Sequence, residues 1–204
     1  LEGGYHVGRL SAAVLEHLDI KRAPGVGHSM GGTIAMELAI RHPKRVRSLS
    51  LCGTWVQGDG RFLHAIRAWM ALWGQLDPDA RFRYLVMPWL YTPAFFTDQK
   101  QVDETVTRVL SFPFPTKAEA VRRQGQGILD WNGTRLREIR KIRVPTLVLV
   151  GRDDNLTVPA FSRALARTIP KAKLKVIPGG GGFTIERWED FNRAVLGFLR
   201  GITR

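Results

Sequence analysis

The sequence predicts an α/β protein, with a mostly parallel sheet, flanking helices and an inserted helical segment. Strand-like and helix-like segments alternate near both ends of the chain, which favours parallel strands covered by helices. A β-branched and aliphatic run at 146–150 ends at a glycine, as a buried strand does. Between about residues 58 and 135, this alternation gives way to short helical segments joined by prolines.

The first elements of the chain follow from local patterns. Apolar residues at helical spacing over 7–18 predict an amphipathic helix. The short, turn-rich segment 23–28 comes next, and it leads into a second helix over 33–40. That helix ends before Pro43, because the residue that precedes a proline avoids helical backbone. Residues 46–52 alternate and then become apolar, which predicts a strand.

The C-terminal part, residues 136–204, is expected to complete the α/β core that residues 1–57 begin. After the strand described above, the pattern predicts a helix over 160–169 and a strand over 174–177. A last amphipathic helix is predicted over 188–198, with its aromatic and aliphatic residues on one side.

The middle of the chain, residues 58–135, is predicted to form a helical cap. It holds four of the six tryptophans and several proline-rich joints. An aromatic-rich insertion between two halves of a sheet is expected to cover a pocket. The alternative is a helical subdomain that packs a core of its own.

Composition excludes several classes of protein. The chain has 204 residues, of which 24% are charged and 44% hydrophobic, as in ordinary globular domains. A single cysteine, Cys52, excludes an internal disulfide framework and a cysteine-built zinc site. No apolar run approaches the ~18 residues of a membrane span. We therefore expect a soluble, cytoplasmic protein with no membrane partner.

The charge balance raises the question of nucleic-acid binding. The chain carries 31 basic and 18 acidic residues, a formal net charge of +13. Its basic runs at 41–47 and 135–143 precede strand-like segments, where solvated charges usually mark a loop or a helix end. No groove-reading motif or aromatic platform accompanies them, so we do not expect nucleic acid as a partner.

The most specific motif is Gly27-His28-Ser29-Met30-Gly31, which fits G-x-S-x-G between a short strand and a helix. Such a turn holds its serine in a strained, exposed conformation. The start of the following helix directs free N–H groups and the positive end of its dipole at the reacting centre. Ser29 is therefore a candidate nucleophile, and the Met30 N–H a candidate oxyanion donor. The alternative is a glycine-rich turn with no chemical role.

With this motif the chain resembles the α/β-hydrolase superfamily, particularly its small esterase, lactonase and haloperoxidase-like members. The helix-to-strand link at 40–46 and the run at 144–159 extend the resemblance over nearly the whole chain. The resemblance implies an α/β-hydrolase fold with Asp154, three residues after Gly151, as the triad acid that orients a histidine. The alternative is an exposed loop aspartate. No metal or organic cofactor is implied.

One departure from the family concerns the catalytic histidine. The resemblance implies a histidine after Asp154, but Gly182 stands in its place. Glycine cannot accept a proton from Ser29, so the usual general-base route is missing. His28 is expected to diverge from the serine, whereas His64 could reach the pocket from the cap. The remaining histidines are expected at the surface: His6, His17 and His42.

The second departure concerns the start of the chain. Only about 28 residues precede Ser29, enough for one helix and the strand of the motif. Family members have several strands there, and one of the loops between them supplies a second oxyanion donor. We favour an N-terminally truncated form of a longer hydrolase, and strands supplied by a partner are the alternative. The strand before Ser29 would then be an exposed sheet edge, which offers a route to a homo-oligomer.

These features lead to two functional hypotheses. The first is a carboxylesterase-like serine hydrolase that acts on a small ester, thioester or lactone through an acyl-enzyme and is impaired by Gly182. The second is a catalytically silent module that binds a small molecule on the same fold. Aromatic residues of the cap are candidates for an apolar acyl pocket: Trp69, Trp73, Trp89 and Phe95.

Overall fold

Four parallel strands form the centre of the protein. The computed structural model describes the backbone of residues 3–202 and the side chains of residues 8–202. The strands are β1 (Ala23–His28), β2 (Val46–Cys52), β3 (Thr146–Gly151) and β4 (Lys173–Ile177), and they lie side by side in that order. The predicted strands at 46–52, 146–150 and 174–177 are therefore confirmed to within one residue.

The helices of the core connect these strands. They are α1 (Gly3–His17), α2 (Met30–Arg41), α8 (Pro159–Thr168), the short α9 (Phe183–Glu186) and α10 (Trp188–Ile202). Each parallel pair of strands needs a helical crossover, and α2 and α8 supply two of them. The longest crossover, between β2 and β3, contains the inserted segment.

The inserted segment of residues 58–135, for which we keep the name cap, consists of helices and turns. Its helices are α3 (Gly60–Leu72), α4 (Pro78–Ala80), α5 (Met87–Leu90), α6 (Gln99–Leu110) and α7 (Ala118–Trp131). A π-helical stretch, Arg81–Val86, and a 3₁₀ turn, Pro93–Thr97, join them. Short 3₁₀ turns also precede β2 and β3, at Pro43–Arg45 and Glu138–Lys141.

Apolar residues cover both faces of the sheet, because successive strand residues point to opposite sides. The larger cluster packs Leu51 and Val148 against α2, α8 and the base of the cap. The smaller cluster packs Cys52, Leu149 and Val195 between the other face and α10. A third cluster lies inside the cap, so the cap has a core of its own as well as a wall facing the sheet.

The strand that leads to Ser29 lies at an edge of the described sheet, as the sequence predicted. β1 pairs with β2 in register, for example Gly27 opposite Leu51. Val26 of β1 is 49% exposed, a high value for a valine in a parallel sheet. Within residues 3–202, no helix is both long and apolar enough to cross a membrane.

Candidate active site

Ser29 occupies a strained turn between β1 and α2. Its backbone has φ 52° and ψ −123°, a positive φ that few non-glycine residues adopt. Such a conformation costs of order 1–3 kcal/mol and persists only where the surroundings impose it. Here the Ser29 N–H donates to the Cys52 carbonyl at 2.9 Å, and the Ser29 carbonyl accepts from the Gly32 N–H at 2.9 Å.

Two glycines make this turn sterically feasible. A Cβ at Gly27 would lie 2.2 Å from the Gly31 carbonyl oxygen, and one at Gly32 would lie 2.6 Å from the Thr54 side chain. A Cβ at Gly31 would meet nothing within 4 Å. The close approach therefore needs Gly27 and Gly32, whereas Gly31, the second glycine of the motif, has room for a side chain.

The start of α2 provides free backbone donors beside the serine. The helix begins at Met30, so the N–H groups of its first turn have no partner within the helix. The dipole of α2 adds positive potential at the same place. This geometry could stabilise an oxyanion formed next to Ser29, which is the role predicted for the Met30 N–H.

Asp154 lies in the loop after β3 and is only 3% exposed. Its Oδ1 accepts hydrogen bonds from the N–H groups of Leu156 (3.0 Å) and Thr157 (2.8 Å), and its Oδ2 accepts one from the Thr157 hydroxyl (2.7 Å). Burial raises the pKa of Asp154 above its ordinary value, although these hydrogen bonds and the nearby His28 oppose the shift. Asp154 is therefore a buried carboxyl group rather than an exposed loop residue.

Gly182 lies in the loop that follows β4. Its φ of −85° and ψ of 20° are accessible to other residues, so its backbone does not require glycine. A Cβ at the neighbouring Gly181 would lie 3.1 Å from the Asp154 Oδ1. The structure thus brings the loop that contains Gly182 close to the predicted acid.

The cap occupies the space in front of Gly182. The Gly182 N–H donates to the Leu90 carbonyl at 2.6 Å, and a Cβ at Gly182 would lie 3.3 Å from the Tyr91 ring. The Thr92 hydroxyl donates to the Glu186 carboxylate, whose other oxygen accepts from the Gly180 N–H at 3.0 Å. Hydrogen bonds therefore connect the end of α5 and the residues after it to the loop in which the family resemblance implies a catalytic histidine.

The His28 side chain points toward the same loop, where its Nε2 already has a partner, so it is not a free base. Its Nε2 is 3.0 Å from the Gly181 carbonyl oxygen, and its ring meets the Phe183 ring edge-on, with centroids 5.5 Å apart. Burial lowers the pKa of His28, while the Gly181 hydrogen bond and the Asp154 charge raise it. The His28 side chain keeps an exposed surface, so its imidazole is partly solvated.

A cavity of about 350 Å³ opens onto Ser29 beneath the cap. Trp69 and Trp73 line it, as predicted from the sequence. Trp89 and Phe95 do not: Trp89 packs against the main core, and Phe95 stacks on Tyr91 inside the cap. Sequence reasoning missed the other apolar lining residues, which are Ile66, Met70, Val86, Leu90, Val121, Ile128 and Leu156.

Among the other histidines whose side chains the structure describes, none lines this cavity. His64 is exposed on α3, and its Nδ1 is 2.7 Å from the Gly60 carbonyl oxygen of its own helix. It is not among the residues that line the Ser29 cavity, so the structure does not bring it to the site. His17 is exposed and His42 is half-buried, while the side chain of His6 lies outside the described residues.

No metal centre is found in the described part of the chain, where no group of three His, Cys, Asp or Glu side chains could hold an ion. Cys52 is a buried free thiol, and burial raises its pKa to about 12. A thiol with so high a pKa is protonated at neutral pH and is a poor nucleophile. Ser29 is thus the nucleophile candidate that the geometry favours.

Ser29 lies in a strained strand-to-helix turn on the wall of an apolar cavity, and the charge of the buried Asp154 acts on the neighbouring His28. This arrangement is typical of a hydrolase-like α/β site. Residues 5–186 match the family described as the alpha/beta hydrolase fold. This chain belongs to that family.

Individual relatives agree with the assignment. The chain is 32% identical over 193 residues to RutD of Caulobacter sp. (strain K31), a proposed carbamate hydrolase, covering 92% of this chain and 69% of that protein. It is 32% identical over 190 residues to 2-hydroxymuconate semialdehyde hydrolase of Pseudomonas putida, covering 91% and 65%. BpoC of Mycobacterium tuberculosis H37Rv, a proposed non-heme bromoperoxidase, superposes with a TM-score of 0.83 at 30% identity, covering 96% and 73%.

Proposed function

We propose that the Ser29 site belongs to a serine hydrolase that acts on a small ester, thioester or lactone. The Ser29 hydroxyl would attack the acyl carbonyl, expel the alcohol or thiol, and form an acyl-enzyme that water then hydrolyses. The observation that carries this proposal is the strained backbone of Ser29, at the start of α2 and on the wall of an apolar cavity. Relatives named as hydrolases support the reaction class.

Two further groups would assist this chemistry. The Met30 N–H would stabilise the oxyanion of the tetrahedral intermediate, since it lies at the first residue of α2. The Asp154 carboxylate would orient an imidazole and stabilise its charged form. In this chain, no imidazole stands at Gly182 for Asp154 to orient.

We therefore expect impaired catalysis. When one triad member is missing, oxyanion donors and binding typically leave a rate enhancement of only ~10³–10⁴ over water. His28 is a weak substitute, because its Nε2 already interacts with the Gly181 carbonyl. His64 is a weak substitute as well, because it lies on the exposed side of α3.

The lining of the cavity favours an uncharged acyl group. Tryptophan, methionine and aliphatic side chains dominate it, and Gln124 and Thr116 are among its few polar residues. The relatives are named for different substrates: a carbamate, a semialdehyde and, for a protein of Burkholderia xenovorans LB400, an enol-lactone. These names agree on hydrolytic enzymes and differ in substrate.

A catalytically silent binding module is the second candidate. It is favoured by the way the cap fills the space at Gly182, where Leu90 accepts a hydrogen bond and Tyr91 lies in contact distance. Such a module would keep the apolar cavity and hold its ligand without turnover. The two candidates differ in whether the Ser29 hydroxyl reacts.

The test is covalent labelling together with turnover. The chain is treated with an alkyl fluorophosphonate, the modified residue is located by mass spectrometry, and hydrolysis of aryl esters of short and medium acyl chains is followed. We expect slow modification of Ser29 and slow hydrolysis, both abolished in Ser29→Ala. Tight binding of the ester with no labelling and no hydrolysis would favour the silent module.

A further inference from the structure

A continuous stretch of the cap exposes large apolar side chains. Residues 107–117 are all exposed, and they connect α6 to α7. Within this stretch, Val109 is 38% exposed, Leu110 42%, Phe112 64% and Phe114 77%. Phe114 is the most exposed large hydrophobic side chain that the structure describes. Four such residues so close together are unusual on a soluble surface, where exposed apolar residues are normally scattered.

The exposed stretch is held in a defined shape. The Phe112 and Phe114 rings pack edge-on with centroids 6.0 Å apart, so they project as a pair. The Trp73 indole N–H donates to the Thr116 carbonyl at 3.0 Å and fixes the far end of the stretch to α3. Pro113 separates the two aromatic residues and restricts the backbone between them.

Basic residues lie close to this apolar pair in the chain, and Lys117 and Arg123 line a surface groove together with Phe114. Arg108 and Lys117 flank it in the chain, and Arg122 and Arg123 follow on the first turns of α7. All four are exposed, and the one acidic residue between positions 105 and 123 is Glu119, which lies 3.6 Å from Arg123. Among residues 8–202, no ion pair engages Lys117 or Arg122. The net charge of +13 has no role in the proposed hydrolysis.

The exposed stretch also adjoins the Ser29 cavity. Thr116 lines that cavity together with Trp73 and Val121. The same Thr116 lines a surface groove beside Phe114 and Lys117. A surface that touched Phe114 would therefore lie close to the wall of the cavity.

We propose that residues 108–123 bind the surface of an anionic phospholipid membrane. Phe112 and Phe114 would enter the boundary between headgroups and acyl chains, and Lys117 and Arg122 would interact with lipid phosphates. Exposed aromatic side chains with basic residues nearby are typical of proteins that bind the surface of an anionic membrane without crossing it. This proposal replaces the expectation from composition that the protein has no membrane partner, and it does not depend on any turnover at Ser29.

The experiment measures co-sedimentation of the full chain with vesicles. One set of vesicles is pure phosphatidylcholine and the other contains phosphatidylglycerol as a minor fraction. We compare the unmodified protein with Phe112→Ser/Phe114→Ser, with Lys117→Glu/Arg122→Glu, and with Trp188→Ser. The last is the matched control, since Trp188 is 57% exposed at the start of α10, outside the cap. All the changed residues are exposed, so the variants are expected to fold, which circular dichroism verifies.

We expect the protein to bind the anionic vesicles and to be released by high salt. Each of the two double variants should weaken this binding by about tenfold or more, and Trp188→Ser should leave it unchanged. Absence of binding, or binding that the Phe112 and Phe114 changes leave intact, would overturn the proposal. Equal binding to pure phosphatidylcholine would overturn the anionic assignment. Self-association lost in the Phe112→Ser/Phe114→Ser variant, without vesicle binding, would show that a second copy covers this surface instead.

Discussion

The N–H of Gly182 donates a hydrogen bond to the Leu90 carbonyl oxygen at 2.6 Å, which places the cap backbone directly against the loop after β4. The glycine loop (residues 179–182) makes this approach feasible, because a Cβ at Gly180 would lie 2.5 Å from the same oxygen. The position expected for the histidine thus lacks an imidazole, and a Cβ there would be crowded by the Leu90 carbonyl oxygen at 3.2 Å and by the Tyr91 ring at 3.3 Å. A single substitution has to overcome both obstacles.

We predict that Gly182→His alone restores little activity, whereas Gly182→His/Tyr91→Leu restores more. Leucine lacks the ring atoms that a Cβ at position 182 would approach at 3.3 Å, so it makes room for an imidazole beside Asp154. A working general base typically contributes 10²–10⁴-fold, so kcat/KM for aryl esters should rise by about 10²-fold or more in the double variant.

Controls separate this effect from a general loosening of the cap. Tyr91→Leu alone should stay at the activity of the unmodified chain. Adding Asp154→Asn to the double variant should remove most of the gain, because the imidazole then lacks its charged partner. Equal activity in Gly182→His and in the double variant would show that Tyr91 does not obstruct the site.

Local patterns were enough to predict most of the fold. The strands at 46–52 and 146–150 and the serine turn follow from residue types that are neighbours in the chain, so a sequence shows them directly. The contact between Gly182 and Leu90 joins residues far apart in the chain, and no local pattern encodes it. The structure does not place Trp89 and Phe95 in the cavity for the same reason, since aromatic character does not tell whether a side chain faces the cavity or packs in a hydrophobic core.

The serine turn yields a second prediction, on stability. Gly27→Ala would place a methyl group 2.2 Å from the Gly31 carbonyl oxygen, so the backbone must shift. We expect a loss of several kcal/mol in the free energy of unfolding, above the ~1–3 kcal/mol typical of overpacking because the clash involves main chain. Gly31→Ala is the matched control, with open space and a helical position where alanine is favoured by about 1 kcal/mol. Urea unfolding measures both, and similar losses would contradict the structure.

A buried carboxylate leads to a pH-dependent prediction. Glu37 of α2 is 2% exposed, and it accepts hydrogen bonds from Arg41 (2.7 Å), from the Trp131 indole (2.8 Å) and from Arg135. Burial alone would raise the pKa of Glu37, but the hydrogen bonds from Arg41, Trp131 and Arg135 outweigh burial and lower it. Glu37 therefore stabilises the fold at pH values above its unfolded pKa, and this contribution is lost as the pH falls through the lower folded value.

The variant Glu37→Gln tests the direction of this pH dependence. Its carboxamide cannot form the ion pairs with Arg41 and Arg135, so at neutral pH we expect a loss of about 3–5 kcal/mol, as when one partner of a buried pair is removed. The difference should shrink as the pH falls from the unfolded pKa of Glu37 toward its lower folded pKa, because the unmodified Glu37 then also becomes neutral. The measurement is the free energy of unfolding in urea at a series of pH values. A difference that stays constant with pH would show that packing, and not charge, accounts for the effect.

Asp154 is expected to behave in the opposite way. Burial raises its pKa, so the folded state disfavours the charged form, and no histidine at position 182 compensates for it. A carboxyl group with a raised folded pKa contributes most at low pH, and the protein loses stability as the pH rises from the unfolded pKa through the folded one.

In Asp154→Asn, the amide oxygen can still accept from the Leu156 and Thr157 N–H groups, and the amide nitrogen can donate to the Thr157 hydroxyl. We therefore expect Asp154→Asn to be at least as stable as the unmodified chain at neutral pH, and this advantage should shrink as the pH falls toward the unfolded pKa of Asp154. A residue that lowers the stability of the fold at neutral pH is typical of a functional site, where activity is favoured at the expense of stability. A lower free energy of unfolding for Asp154→Asn at neutral pH would instead mean that the charged carboxylate stabilises the loop after β3. The only remaining argument for Asp154 in the proposed site would then be its position.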